Sequence, residues 1–197
     1  MPRTPAKRPA ARVPGPPGHV RIIAGSLRGS RIAVPDAPGL RPTSDRVRET
    51  LFNWLQSQVA GARVLDLFAG VGALGFEAVS RGAASVTLVE RDPALARALE
   101  ATASRLKIAA ASVHCADAPT WLRSAQGAGF DLVFIDPPFA ADLWQATIDA
   151  LGSCLADQAR IYLESPAGHV PAVPAGWSLL RVGETRQVRY ALYLAKA

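Results

Sequence analysis

The sequence predicts an α/β fold built on a mostly parallel sheet, and three observations carry that prediction. From Arg63 onward, short apolar runs of strand type alternate with segments of helical spacing. Such alternation lets helices cover both faces of a parallel sheet. A glycine-rich turn, Leu65-Asp-Leu-Phe-Ala-Gly-Val-Gly-Ala-Leu-Gly75, joins the first of these runs to the first helix. The last two runs, Trp177–Val182 and Gln187–Leu194, are linked by the short turn around Gly183-Glu-Thr and read as a hairpin, which adds an antiparallel strand.

Residues 1–18 are rich in Pro, Ala, Arg and Gly and have no hydrophobic period, so they are expected to be a disordered basic tail. Val20–Ala24 and Ser30–Val34 flank Gly25-Ser-Leu-Arg-Gly29 and predict a β-hairpin in a small appendage spanning 19–42. Pro35–Pro42 reads as a turn-rich connector. The main domain is expected over 43–197. It opens with an amphipathic helix over Asp45–Val59, with Val47, Leu51, Trp54, Leu55 and Val59 on one face and Thr43, Ser44 or Asp45 as cap. Strands follow at Arg63–Leu67, Ser85–Val89, Ala111–Cys115, Phe130–Ile135 and Arg160–Glu164. Helices are expected at Gly72–Arg81, Pro93–Lys107, Ala118–Ala125 and Asp142–Leu155. Pro93 suits the first turn of its helix, where no N–H is needed.

At 197 residues the chain suits one α/β domain with a short extension. No apolar run approaches the roughly 20 residues of a membrane span, and the N-terminus lacks the apolar stretch of a secretory signal. A cytoplasmic protein with no membrane partner is expected. Cys115 and Cys154 form no metal-type spacing with each other or with His19, His114 and His169. Two buried, reduced thiols and no metal are expected.

The net charge of +6 is unevenly placed. Arg3, Lys7, Arg8, Arg12, Arg21, Arg28 and Arg31 stand in the first 31 residues with no acid among them, and the remainder is close to neutral. A basic arm beside a near-neutral body fits contact with a phosphate backbone. For residues 1–18 a solubilising tail accounts for the same charge; Arg21, Arg28 and Arg31 lie in a segment of ordered character.

Gly70, Gly72 and Gly75 satisfy G-x-G-x-x-G after a strand and before a helix. Such a loop lets a ligand lie against backbone, and the helix beyond it offers free N–H groups. Glu90 ends the second strand, 20 residues after Gly70, where a carboxylate can accept both hydroxyls of a ribose. Plain strand-to-helix geometry also uses glycines. Two ligands compete for the site, NAD and S-adenosylmethionine. Asp66 favours the second, because a carboxylate at the loop mouth repels a pyrophosphate and suits an ammonium and a sulfonium.

Asp136-Pro-Pro-Phe139 closes the strand Phe130–Ile135. Asp-Pro is a common turn former, and here two prolines fix φ and remove two donors, leaving a rigid turn that presents oxygens. That turn is expected at the same sheet edge as the glycine loop. An exocyclic base amine is a poor nucleophile because its lone pair is delocalised. Hydrogen bonds accepted by the Asp136 carboxylate and the Pro137 carbonyl would direct that lone pair at a methyl group, with Pro138 stiffening the turn. Phe139 can stack on an extruded base, worth on the order of 1–3 kcal/mol. The positive sulfur of the donor already activates the methyl group, so no metal is needed.

With these motifs in place, the chain resembles the class I methyltransferases. Specifically, it resembles the bacterial 16S ribosomal RNA guanine-N2 methyltransferases of the RsmD type. The resemblance rests on Arg21-Ile-Ile-Ala-Gly-Ser-Leu-Arg-Gly29, Leu40-Arg-Pro-Thr-Ser-Asp-Arg-Val-Arg-Glu-Thr-Leu-Phe-Asn-Trp54, Leu65-Asp-Leu-Phe-Ala-Gly70 and Asp136-Pro-Pro-Phe139. It implies a Rossmann-like class I methyltransferase fold with a seven-stranded sheet whose last strand is antiparallel. It implies S-adenosylmethionine contacts from Asp66, Phe68, Ala69, Gly70 and Gly72, a ribose held by Glu90, and an adenine flanked by Arg91, Asp117 and Ala118. Thr43 would reach the methionine end. Asp136, Pro137, Pro138 and Phe139 would hold the target amine. The implied product is N2-methylguanine in 16S rRNA, made by a monomer acting on an assembling 30S subunit. Residues 1–18 lie outside the resemblance.

Arg21, Arg28, Arg31 and Arg41 are the candidate RNA contacts. Arg46 and Arg48 are expected to meet RNA or the cofactor carboxylate, or else to form a solvated helix face. Trp54, Trp121 and Trp144 read as core. The competing readings are a DNA or other RNA base-amine methyltransferase, a protein glutamine methyltransferase, an NAD-dependent oxidoreductase, and a non-catalytic RNA-binding protein. The oxidoreductase would leave Asp136-Pro-Pro-Phe139 without a purpose.

Overall fold

Two strands, β1 (Gly18–Arg21) and β2 (Arg31–Val34), pair antiparallel with Val20 opposite Ile32 and Arg21 opposite Arg31. Period-two alternation turns Val20 and Ile32 inward and leaves both arginines in solvent. This computed structural model of the chain describes residues 18–35 and 43–196. The expected basic tail, apart from Gly18, and the candidate RNA contact Arg41 lie outside the described residues. Gly18 itself belongs to β1 rather than to a tail.

Helix α1 (Asp45–Trp54) begins at Ser44, whose hydroxyl accepts the Val47 N–H at 3.4 Å. It ends four to five residues before the apolar spacing does. Leu55 and Val59 still bury their side chains, but from turns closed by Gly61 at φ +77°. The hydrophobic period therefore outlasts the helix.

Seven strands form the main sheet: β3 (Arg63–Asp66), β4 (Ser85–Glu90), β5 (Ala111–Cys115), β6 (Phe130–Ile135), β7 (Leu155–Pro166), β8 (Trp177–Glu184) and β9 (Val188–Ala195). Their spatial order is β5-β4-β3-β6-β7-β9-β8. Strands β3 to β7 run parallel; β9 is antiparallel to both β7 and β8, so it alone is reversed. The connecting helices are α2 (Ala73–Ser80), α3 (Pro93–Arg105), α4 (Ala118–Ser124) and α5 (Trp144–Leu151).

Alternation along the central strands divides the core into two layers. Val64, Leu132, Phe134 and Tyr162 point to the layer shared with α1, α2 and α3. Leu65, Val133, Ile135, Ile161 and Leu163 point to the layer under α4 and α5. Helix α5 is shorter than its apolar spacing predicts. Asp142 at φ +47° ends a single 3₁₀ turn over Phe139–Ala141 and delays the helix to Trp144, and Gly152 at φ +37° stops it. Strand β7 is longer than expected and carries an irregularity opposite Phe130/Leu132. Cys154 is buried, whereas Cys115 is exposed at the end of edge strand β5, against the expectation of two buried thiols.

The hairpin is bound to the sheet domain through α2. Glu77, fully buried, accepts the Ile23 N–H at 2.7 Å and the Ala24 N–H at 3.1 Å. Ser80 accepts the Leu27 N–H at 2.9 Å and donates to the Ala24 carbonyl. Gly25 approaches so closely that a Cβ would stand 1.8 Å from the Ser80 carbonyl oxygen. Arg48 completes this junction. It is fully buried, donating to Asp45 at 2.6 Å and to the Arg21 carbonyl at 3.0 Å, and it lies 3.8 Å from Glu77. This overturns both expectations for Arg48, which neither meets solvent nor faces a ligand. Arg46, one residue pair earlier on the helix, is exposed. No described helix is long and apolar enough to cross a membrane.

Candidate active site

The central strand β3 has β4 on one side and β6 on the other, so the connections after β3 and β6 diverge at the carboxyl edge of the sheet. Crevices of open α/β sheets form at such switch points. Strand β3 delivers Asp66 there almost completely buried, 3% exposed. Its Oδ2 accepts the Gly75 N–H at 3.0 Å, closing the glycine loop onto the strand that launched it. Burial raises this carboxyl from 3.8 to about 7; the Gly75 N–H opposes the rise and the charge of Glu90 adds to it.

The three glycines do different work. Gly70 donates its N–H to Glu90 Oε2 at 2.8 Å. Gly72 caps α2 in the left-handed region, φ +80°, where a Cβ would also strike Phe76 at 2.5 Å. At Gly75 a Cβ would lie 2.3 Å from the Leu88 side chain, so this glycine sets the close approach of α2 to β4. Glu90, at the end of β4, also accepts the Asp92 N–H at 2.8 Å. Each oxygen of Glu90 has one backbone partner and keeps lone-pair capacity for a further donor.

Strand β6 ends beside β3 and turns at Asp136-Pro137-Pro138. Asp136 is half-buried, Pro137 buried and Pro138 exposed. The Thr43 hydroxyl, just before α1, donates to Asp136 Oδ2 at 3.2 Å. Next to Asp136 stands Glu164 of β7, 4% exposed, which accepts the Tyr162 hydroxyl at 2.6 Å. Burial, and then the charge of Glu164, hold the Asp136 carboxyl well above the usual carboxylate range; the Thr43 hydroxyl opposes this and Asp66 adds to it. Phe139 is 37% exposed, with its ring 5.9 Å from Trp144 and tilted by 44°. Trp144 is core, as expected, and its indole N–H donates to the Glu164 carbonyl at 2.6 Å.

Thr43, Asp66, Gly70, Gly72, Glu90 and Asp136 therefore gather along one sheet edge. Others of the expected set contribute less. Ala69 is buried and offers only backbone, its N–H already donated to the Val89 carbonyl. Phe68 is half-buried against the α4–α5 layer. Arg91 is exposed after β4. Asp117 is exposed and its carboxylate is occupied in capping α4, accepting the Thr120 N–H at 3.2 Å and hydroxyl at 2.8 Å. Ala118 buries its side chain in the core, so any ligand there meets backbone. Arg21, Arg28 and Arg31 are exposed on the hairpin, away from this edge in sequence but tied to α2. Glu164 and Tyr162 were not read as site residues. The signal was present, because Glu164 is a fourth acid at the carboxyl end of an apolar strand, after Asp66, Glu90 and Asp136.

Among the described residues no group of acids, cysteines and histidines is arranged to hold a metal ion. None of the four strand-end acids has a lysine or arginine within salt-bridge distance among those residues. The edge therefore gathers four acids with no basic partner among the described residues, and burial favours the protonated form of Asp66, Asp136 and Glu164.

Comparison with known proteins agrees with this architecture. Residues 20–194 match the family described as Conserved hypothetical protein 95. Ribosomal RNA small subunit methyltransferase D of Escherichia coli strain K12 is 48% identical over 183 residues, covering 91% of this chain and 92% of that protein. The protein of the same name from Haemophilus influenzae is 41% identical over 187 residues, covering 92% and 97%. The solved structure of Escherichia coli yhhF superposes with a TM-score of 0.84 at 45% identity, covering 91% of this chain and 99% of that one. On these grounds the chain belongs to the Conserved hypothetical protein 95 family, together with the ribosomal RNA small subunit methyltransferase D proteins.

Proposed function

We propose that this protein transfers a methyl group from S-adenosylmethionine to the exocyclic N2 amine of a guanine in 16S rRNA. It acts as a cytoplasmic monomer on an assembling 30S subunit. The observation that carries the reading is the cluster of strand-end acids without a basic partner among the described residues, where Asp66 and Asp136 stand at the ends of adjacent strands on either side of the switch point and a cationic ligand would draw them into their ionised forms. A pyrophosphate would meet like charge there, whereas a ligand carrying an ammonium and a sulfonium supplies the missing cations. The residues present fit S-adenosylmethionine and disfavour NAD. When bound, that group supplies an electrophilic methyl on positive sulfur.

The chain's own residues then bind and orient. The loop from Asp66 to Gly72, including the Phe68 and Ala69 backbone, cradles the amino-acid end together with Thr43. Glu90 accepts the ribose hydroxyls with its free lone pairs. Arg91, Asp117 and the Ala118 backbone border the adenine. Asp136 and the Pro137 carbonyl accept the two N–H bonds of the target amine, Pro138 holds the turn, and the exposed face of Phe139 stacks on the extruded guanine. The test is transfer of labelled methyl from the donor to 16S rRNA and to duplex DNA, followed by nucleoside analysis. N2-methylguanosine from the RNA supports the reading; label in DNA adenine or cytosine, or none in RNA, sinks it.

Asp66 gives the binding step a pH signature. With its carboxyl raised to about 7, the ligand-free site holds a proton below that pH. A cationic ligand requires the anion, so binding at acidic pH releases one proton and binding above about 8 releases none. Affinity for S-adenosylmethionine is expected to rise about tenfold per pH unit below 7 and then level off. The same raised value means that Asp66 favours folding of the ligand-free protein most at low pH and that this contribution is lost as pH rises through 7. Calorimetry in buffers of different ionisation enthalpy measures the released proton. Asp66→Asn should abolish it, and proton release persisting in that variant would contradict the assignment.

The hairpin arginines Arg21, Arg28 and Arg31 are assigned to phosphate contact, as is Arg41 from its place in the sequence. Changing Arg21, Arg28 and Arg31 together to glutamine is expected to flatten the dependence of log affinity on log salt by about 0.7 per lost contact. Affinity for S-adenosylhomocysteine should not move. A salt slope equal to that of the unaltered protein would place the RNA elsewhere.

A further inference from the structure

Arg189 is a buried cation with no counter-charge among the described residues. It stands in β9 opposite Ser165 of β7 and Glu184 of β8 and is 9% exposed. Its Nη1 is sealed from solvent and has no hydrogen-bond partner among the described residues. None of the described acids forms an ion pair with it. Glu184, directly across the ladder, instead accepts the Gly168 N–H at 2.9 Å. Arg48, also buried, leaves nitrogens unpaired as well, but it has Asp45 and Glu77 beside it. A buried charge with no such neighbour is costly, and an anion arriving from outside would remove that cost.

The register puts Arg189 at the substrate end of the crevice. Ile135 pairs with Leu163, and Leu163 with Ala191. Ser165 and Arg189, two residues along each strand, therefore lie level with the Asp136-Pro137-Pro138 turn. Alternation turns Arg189 to the face of Ala191 and Tyr193, the side covered by α4 and α5. On that face a chain of contacts runs from the turn toward it. Phe139 lies 5.9 Å from Trp144, Trp144 lies 5.1 Å from His169, and the Ser165 hydroxyl donates to the His169 carbonyl at 2.7 Å. Strands β6 and β7 separate β9 from β3, which carries the glycine loop. That is roughly 14 Å at the usual strand spacing, so a donor carboxylate held at that loop is out of reach.

We infer that Arg189 holds a backbone phosphate of the RNA beside the extruded guanosine. The inference rests on the base-amine methylation proposed above and adds an anchor to it. Asp136 takes the amine and Phe139 the ring; a hold on the phosphate fixes the backbone that has rotated out of the stack. A phosphate supplies both the full negative charge and the acceptor oxygens that the guanidinium lacks, and its oxygens match the guanidinium fork. A base edge supplies acceptors without the charge.

The target guanosine is first located by labelled methyl transfer to 16S rRNA, and binding of an RNA fragment that carries it is then measured across salt concentrations. Arg189→Gln is expected to weaken this binding by about tenfold and to lower the slope of log affinity against log salt by about 0.7. The melting temperature of the ligand-free protein should stay level or rise, since an uncompensated buried charge is gone. Arg189→Lys keeps the charge and should keep the slope. With the unaltered protein, the phosphates flanking the target are replaced one at a time by uncharged methylphosphonate. One position should reproduce the loss, and the same replacement should weaken binding by Arg189→Gln no further. This arm decides alone if Arg189→Gln does not fold. A penalty at no phosphate overturns the inference. So does an intact salt slope in Arg189→Gln: with a lowered melting temperature it makes Arg189 a structural residue, and with weakened binding it makes Arg189 a reader of the base edge. No label in RNA would instead remove the methylation reading itself, a failure seen in the unaltered protein and so distinct from the others.

Discussion

Asp136→Ala is expected to lower methyl transfer by about 10²–10³-fold, the usual cost of deleting one preorganised group aimed at developing charge, while binding of S-adenosylhomocysteine stays within about twofold. On the proposed reading the amine nitrogen becomes positive in the transition state, and Asp136 is the half-buried carboxyl at the tip of β6 placed to face it. Its geometry is fixed from behind by Thr43 and from the side by a buried proline. Alanine leaves that frame in place, because the strand pairs through Ile135 and the turn is held by the two prolines. The loss should therefore fall on the chemical step and not on donor affinity. Equal losses in both would show that Asp136 shapes the donor site. Full activity of a folded variant would remove it from the reaction.

Glu77→Ala is expected to have the largest effect on stability. Glu77 accepts two backbone N–H groups of the hairpin loop and the Arg81 guanidinium at 2.7 Å, and among the described residues it is the one fully buried carboxylate beside Arg48, at 3.8 Å. Arg48 already has Nε and Nη1 without hydrogen-bond partners, so deleting Glu77 leaves a buried cation held by Asp45 alone among carboxylates. Breaking a buried pair in this way costs about 3–5 kcal/mol. For a domain of this size that lowers the melting temperature by about 10 °C. Glu77→Gln keeps one of the two acceptor oxygens that serve the hairpin and should fall between Glu77→Ala and the unaltered protein. Calorimetry checks both variants, and a loss under about 1 kcal/mol for Glu77→Ala would contradict the role given to this junction. Proteolysis between Ile22 and Ser30 should accelerate in parallel, since these are the bonds that hold the loop down.

The strands and the glycine loop were legible because they are local. Ala111–Cys115 and Phe130–Ile135 have the bounds their apolar runs predict, and β3 and β4 differ by one residue each. Strand-end acids and a glycine turn at fixed spacing read as a candidate nucleoside site with no tertiary information. Helix ends were less legible: Val59 and Leu155 continue a helical period from turns and a strand. Partnerships across sequence were not legible at all. The Thr43 hydroxyl meets Asp136 from 93 residues away, and Arg48 is drawn into the core by a hairpin carbonyl and by Glu77 on another helix. An arginine on an amphipathic helix reads as solvated until that neighbour is known. Asp117 shows the converse. The resemblance implies a ligand contact for it, yet helix capping already employs its carboxylate.

Methyl transfer to one guanine amine is most directly tested in the RNA of cells that lack this protein. Mass spectrometry of 16S rRNA nucleosides should show the loss of a single N2-methylguanosine, restored by the intact chain and not by Asp136→Ala. An undiminished complement of N2-methylguanosine, or the loss of a different modified nucleoside, would contradict the account.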